Sequence, residues 1–206
     1  MDLRTFLLLA PIVLFSLALH ELAHAVTAYK LGDPTAKNEG RITLNPIKHL
    51  DPLGTVMFAV TSLVAGLPFG WAKPVPVHPG YFKRPKEGMA LVAAAGPATN
   101  FLIALVCLAI FQHAGLAGEA QEVVRLAYIV NVVLGIFNLI PIPPLDGSRI
   151  IGIAMSNATY ARWVQLDQYG MIAVLALFFV FRDEFSTLLG DALDGVTRVM
   201  NAIVGA

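Results

Sequence analysis

Apolar residues fill four main stretches of the chain, and polar residues gather between them. The first, Leu3 to Tyr29, exceeds the roughly 20 residues a helix needs to cross a bilayer and reads as a membrane span. Residues 30–48 are polar and carry Lys30, Lys37, Arg41 and Lys48 among Gly, Pro and Asn. Residues 54–70 are apolar again, but the stretch is short and Gly66 and Pro68 interrupt it. In Trp71-Ala-Lys-Pro-Val-Pro-Val-His-Pro79 the prolines forbid helix and favour an extended loop. Two more spans are predicted, at about Gly88–Phe111 and Val123–Ile140. The connector over residues 112–122 holds Glu119 and Glu122 and no Lys or Arg. The third span breaks at Pro141-Ile-Pro-Pro-Leu-Asp-Gly147. Apolar residues resume over Ile150–Met155 and in a last core, Tyr169–Phe181. Beyond it, Phe185, Leu188, Leu189, Leu193, Val196, Val199 and Met200 outline an amphipathic tail suited to a membrane interface.

Composition agrees with this pattern. Of 206 residues, 57% are hydrophobic and only 14% charged, with mean hydropathy +0.71. A soluble domain carries about 25% charge, so the chain is expected to be a multi-pass membrane protein and not a soluble enzyme. Zero net charge argues against a nucleic-acid partner. The single cysteine, Cys107, excludes an intrachain disulfide and a thiol-rich zinc site, and its apolar neighbours make it a packing residue. The first 19 residues imitate a signal peptide. Only Arg4 supplies positive charge, however, and no small-residue cleavage pattern follows, so the segment reads as a retained span.

Charge sets an orientation. Lys and Arg collect in residues 30–48 and 73–86, so both stretches are expected on the cytoplasmic side. Residues 54–70 then cannot cross once, and are expected to re-enter on the side they left. Such backbone is tolerated at membrane depth only where protein covers it. With that turn, the end of the first span and the end of the third fall on the same face. A simple crossing would separate them.

That shared face matters because of His20-Glu21-Leu22-Ala23-His24. The motif puts two imidazoles on one helix face, where both can bind one zinc ion, and Glu21 beside them can act as a general base. Ionisable groups are costly in lipid, so they should face an interior site. Catalytic zinc takes a third protein ligand. His49 and His78 lie in Pro-containing loops and His113 at the opposite end of its span, so none is well placed. Asp146 follows the third span between Pro residues and Gly147. From position alone it reads equally as a ligand or as the cap of a helix over Ser148–Met155.

Asn138-Leu-Ile-Pro-Ile-Pro-Pro-Leu-Asp-Gly147 resembles the NxxPxPxLDG motif of the site-2 protease family of intramembrane zinc metalloproteases. HELAH resembles the family's other signature, and Gly96-Pro-Ala-Thr-Asn100 its GPxxN element. Residues 40–46 and 69–77 resemble its compact prokaryotic branch, which lacks PDZ and CBS domains. The likeness covers roughly residues 5–157. It implies an all-α polytopic fold: three core transmembrane helices around a zinc site, a re-entrant or short β-containing loop region, and additional C-terminal helices. Residues 1–157 would form the protease core and 158–206 a C-terminal membrane helix and amphipathic tail. One Zn2+ per chain is implied, held by His20, His24 and Asp146, with Glu21 as the catalytic base. Asn138 is implied to hold the substrate backbone or the oxyanion. Asn100 is expected either in support of the site or in contact with substrate.

The expected reaction is hydrolysis of peptide bonds within or near transmembrane helices of single-span membrane proteins. It would occur in the cell membrane, at a site open to the cytoplasmic side. A substrate helix must unwind first, and Ile42–Leu44 or Val75–Val77 could pair with the unwound strand or be ordinary loop. Two rivals belong to other classes. A zinc transporter needs polar groups on both sides of the metal, and the sequence clusters them at one depth. A catalytically silent membrane adaptor would not need Glu21 and all three ligands intact.

Overall fold

The computed structural model describes residues 1–66 and 68–205; Leu67, within the apolar stretch 54–70, and Ala206 lie outside the described residues. In chain order the helices are α1 (Leu3–Lys30), α2 (Thr35–Asn38), α3 (Pro52–Ala65), α4 (Pro85–His113), α5 (Gly118–Asn138), α6 (Asp146–Ile151), α7 (Asn157–Gln165), α8 (Asp167–Phe179) and α9 (Arg182–Val204). Three of them, α1, α4 and α5, are long and apolar enough to cross a membrane. Asp2 starts α1 by accepting from the Thr5 N–H at 2.7 Å, an N-cap. Pro85 opens α4 at the first helical position, where no N–H is needed. The third span begins earlier than its apolar core, at Gly118. Glu119 lies in its first turn, where the helix dipole favours acid, and Arg4 binds both Glu119 and Glu122.

The pairs Arg4–Glu119 and Ser16–Asn131 share an offset of 115 residues, so α1 and α5 run parallel and in step. The same offset sets Asn138 level with Ala23. Antiparallel to them, α4 packs on both. Small buried residues permit the approach: Ala18, Ala25 and Ala28 on α1, with Ala90, Ala93, Gly96 and Ala104 on α4.

The expected turn at residues 54–70 is present. α3 starts on Asp51, which accepts from the Gly54 N–H, and ends at Gly66 in the left-handed region, φ +67°. The Thr61 hydroxyl donates to the Phe69 carbonyl and accepts from the Phe69 N–H, folding the chain back along the helix. Gly70 then lies so close to α3 that a Cβ would sit 2.6 Å from the Gly54 carbonyl oxygen and 2.7 Å from the Phe58 Cβ. Leu50 bridges Ala72, and the Lys73 N–H donates to the His49 carbonyl at 2.8 Å. Both ends of the hairpin are therefore joined. The outer face of α3 exposes Val56, Val60 and Val64, as a lipid-facing surface would. The β-content expected of this region reduces, among the described residues, to the single Leu50–Ala72 bridge. Ile42–Leu44 bends, and Val75–Val77 belongs to no strand.

The amphipathic tail expected from the sequence forms α9. α9 lies against α4 and α5: Leu193, Val196, Met200 and Val204 pack on Ala104, Leu108, Tyr128 and Val132. The Tyr128 hydroxyl meets the Thr197 hydroxyl at 2.6 Å, and Gln112 donates to Asn201 at 2.8 Å. One side of the apolar stripe is thus buried on other helices, while Leu188 and Val199 stay exposed.

Candidate metal centre

His20 and His24 lie one turn apart on α1, buried with 4% and 7% of their surface exposed. Their Nε2 atoms are 2.9 Å apart. The third span ends at Asn138, and the proline-rich turn carries the chain to Asp146 at the start of α6. Gly147 allows this turn to close, because a Cβ there would lie 2.1 Å from the Leu139 carbonyl oxygen. The Oδ2 of Asp146 comes to 3.2 Å from the His20 Nε2 and 3.4 Å from the His24 Nε2. Asp146 does not cap: it is the first residue of α6, whose cap position is Leu145, with no side-chain cap bond.

These three donors fit a metal ion. A tetrahedral zinc with ligands at about 2.0–2.1 Å holds them roughly 3.3 Å apart, and the three observed separations bracket that value. The Asp146 Oδ2 is buried and has no hydrogen-bond partner, an arrangement that is costly unless a cation compensates it. Gly96 on α4 faces the pair. A Cβ there would fall 2.5–2.6 Å from the His20 and His24 rings, so only glycine leaves the imidazoles their place.

Hydrogen bonds fix the tautomers. The His24 Nδ1 lies 2.7 Å from the Val92 carbonyl oxygen, which can only accept, so Nδ1 carries a proton and Nε2 is the nitrogen left to serve as a ligand. For His20 the argument runs through two amides. The Asn131 Nδ2 donates to the Ala127 carbonyl and to the Ser16 hydroxyl, which turns its Oδ1 toward Asn100. The Asn100 Nδ2 donates to that oxygen at 2.9 Å, leaving the Asn100 Oδ1 facing the His20 Nδ1 at 2.6 Å. An amide oxygen only accepts, so His20 too is protonated at Nδ1 and offers Nε2. Metal-bound histidines characteristically have such a partner on the other nitrogen.

Glu21 lies beside this group, and its carboxylate accepts from the Val75 N–H at 2.9 Å. The extended segment across it is anchored by two residues that the motifs do not include. The buried Arg41 guanidinium donates to the carbonyls of Lys73 and Pro74. Asp33 accepts from the His78 N–H at 2.6 Å and from the Thr35 N–H and hydroxyl. Burial pushes the Asp33 carboxyl up, but these donors together outweigh it and hold it below the usual carboxylate range.

Of the residues singled out in the sequence, His20, His24 and Asp146 meet at one point with Glu21 beside them. Asn100 is fully buried behind His20, with both ends of its amide engaged there. Asn138 donates to the Leu134 carbonyl on its own helix. No hydrogen bond joins it to the three donors among the described residues. His49 is buried against the Thr43 carbonyl, and His78 accepts from the Gly80 N–H, so neither joins the group. Ser16 and Asn131 were missed. Their signal was a polar residue within each apolar span, and Ser16 lies four residues before His20 on the same helix face.

Two histidines and a carboxylate around one point, with a glutamate next to them, are a donor set that could hold a metal ion, of the kind metallohydrolases use. The comparisons narrow this class. Residues 108–181 match the model of peptidase family M50. The chain is 39% identical to "Putative zinc metalloprotease YwhC" of Bacillus subtilis (strain 168), over 98% of this chain and 94% of that protein. It is 30% identical to "Putative zinc metalloprotease Rip2" of Mycolicibacterium smegmatis, over 84% of this chain and 66% of that protein. "Zinc metalloprotease MJ0392" of Methanocaldococcus jannaschii is 32% identical over 71% of this chain and 34% of its own length. No solved structure matches significantly. The chain belongs to peptidase family M50, the site-2 proteases.

Proposed function

We propose that this protein is an intramembrane zinc metalloprotease that cleaves membrane proteins within or near their transmembrane helices. The observation that carries the reading is the convergence of His20, His24 and Asp146 beside Glu21, at the depth of three helices fit to cross a membrane. His20, His24 and Asp146 would hold one zinc ion. When bound, zinc supplies Lewis acidity, which brings a water's pKa toward neutrality and polarises a carbonyl. Glu21 accepts the proton of the attacking water and returns it to the leaving nitrogen. The Val75 N–H holds the Glu21 carboxylate in place, and Asn100 with Asn131 holds the His20 ring. Asn138, level with the HELAH motif at the end of α5, would exchange its bond to the Leu134 carbonyl for one to the substrate carbonyl.

The site lies toward the end of the bundle that carries Lys30, Lys73, Lys83 and Arg84, which the positive-inside rule makes cytoplasmic. His24 is six residues from Lys30, about 9 Å along a helix, so water from that side has a short path. Among the described residues one metal-type cluster is present, which gives ion transport no second station.

The test is purified protein in detergent with a panel of single-span substrates. Zinc-loaded wild type should cleave at least one, and Glu21→Gln should keep its zinc while losing roughly 10²- to 10⁴-fold in rate. Undiminished cleavage by Glu21→Gln would remove Glu21 from the mechanism.

A further inference from the structure

An apolar cleft of about 260 Å³ opens between α1, α5 and the re-entrant hairpin. On α1 its wall includes Val13 and Leu17, and the next residue at that four-residue spacing is Glu21. On α5 the wall includes Val130 and Leu134, and the next at the same spacing is Asn138. Residues four apart share a helix face, so both walls lead to the site: one to the carboxylate, the other to the amide. Phe58 and Trp71 of the hairpin close the third side. Phe6 also lines the cleft, with its ring 6.0 Å from that of Phe58.

Apart from His49 and Thr55 the lining is almost entirely apolar, and it lies along the spans at membrane depth. A cavity of about 150 Å³ lined by Leu, Ile and Phe stays dry and takes up benzene. This one is larger, and its aromatic rings suit an aromatic or long aliphatic group. A membrane substrate unwound at Glu21 would keep its apolar flank in the bilayer, directly along these two walls.

We infer that this cleft is a specificity subsite: it receives a bulky apolar side chain of the substrate, adjoining the scissile bond on the side away from the Lys30 end. The inference rests on the proteolytic reading above. It predicts that the protein selects by side-chain size at one substrate position, and that the hairpin takes part in the selection through Ala59, Phe58 and Trp71.

The test uses the full-length, zinc-loaded protein and single-span substrates carrying Ala, Leu or Phe at each position flanking the cleavage point. At one position, kcat/KM for Phe or Leu should exceed that for Ala by at least about tenfold, the discrimination an apolar pocket supplies. Ala59→Phe narrows the cleft from the hairpin side, and Ala10→Phe from α1. Both should retain zinc and lose far more rate on the Phe substrate than on the Ala substrate, which removes the preference for Phe. In Glu21→Gln protein, a photo-crosslinker at residue 13 should capture that substrate position. Equal rates on all substrates, equal losses in the filled variants, or capture of lipid alone would overturn the subsite and leave the protease standing. If zinc-loaded wild type cleaves none of them, the proteolytic reading falls, and the subsite with it.

Discussion

The metal end of α1, α4 and α5 and the segment laid across it, residues 41–78, are held in opposite ways. At the metal end, side chains hold side chains between helices. His20, Asn100, Asn131 and Ser16 form one buried chain, none more than 5% exposed. Across it, side chains hold backbone: Arg41 takes two carbonyls, and Asp33 and Glu21 take single N–H groups. The first arrangement has no freedom without leaving buried polar groups unpaired, which is costly. The second can let go one bond at a time, with water replacing each partner. In the proposed mechanism, holding the metal and freeing Glu21 would thus be separable tasks, assigned to different parts of the chain.

The sharpest way to break that division is at the donors. His20→Ala or Asp146→Ala should lower zinc affinity by about 100-fold or more, since a catalytic site has only three protein ligands. A competition titration with a chelating dye checks it, and unchanged affinity in either variant would remove that residue from the ligand set. Next in size is the buried chain. Asn131→Leu strips Asn100 and Ser16 of a partner and should cost roughly 10- to 100-fold in zinc affinity, as loss of a supporting partner does. Stability should fall by about 1–3 kcal/mol as well, measured by thermal unfolding in detergent. Gly96→Ala comes third. The added Cβ meets both imidazoles, so zinc affinity should drop roughly tenfold while the spans stay folded.

The smallest effects belong to the covering segment and should leave zinc untouched. Arg41→Ala and Asp33→Ala should speed amide exchange at Val75 and His78 with wild-type zinc affinity. The Asp33 carboxyl is depressed below its usual 3.8 in the folded protein. Its contribution is therefore complete above that value and lost as pH falls through the lower, folded one. Exchange at the His78 amide should rise across that acid window in wild type and show no such step in Asp33→Ala.

The spans, the hairpin and four site residues were legible in the sequence because each left a local mark. Length and hydropathy mark α1, α4 and α5, and the HELAH spacing marks the ligands on α1. The turn at residues 54–70 was legible through charge: lysines on both sides forbid a single crossing. Asn131 and Ser16 were not legible as partners, because their role depends on α1 and α5 running parallel in step. That register is set by packing and by the Arg4 pairs far from the site. What the tail packs on was not legible for a related reason. An amphipathic stripe states that one face is buried but not against what, and Leu193 with Met200 found α4 and α5. From position alone Asp146 could be weighed only as ligand or cap; the likeness of residues 138–147 to the NxxPxPxLDG motif made it a ligand, and the structure sets its carboxylate against two imidazoles.

X-ray absorption at the zinc edge tests the central claim most directly. The zinc-loaded protein should show two imidazole nitrogens and oxygen donors at about 2.0–2.1 Å, with one imidazole lost in His20→Ala. A sulfur donor, which would point to Cys107, or a third imidazole would contradict the ligand set of His20, His24 and Asp146.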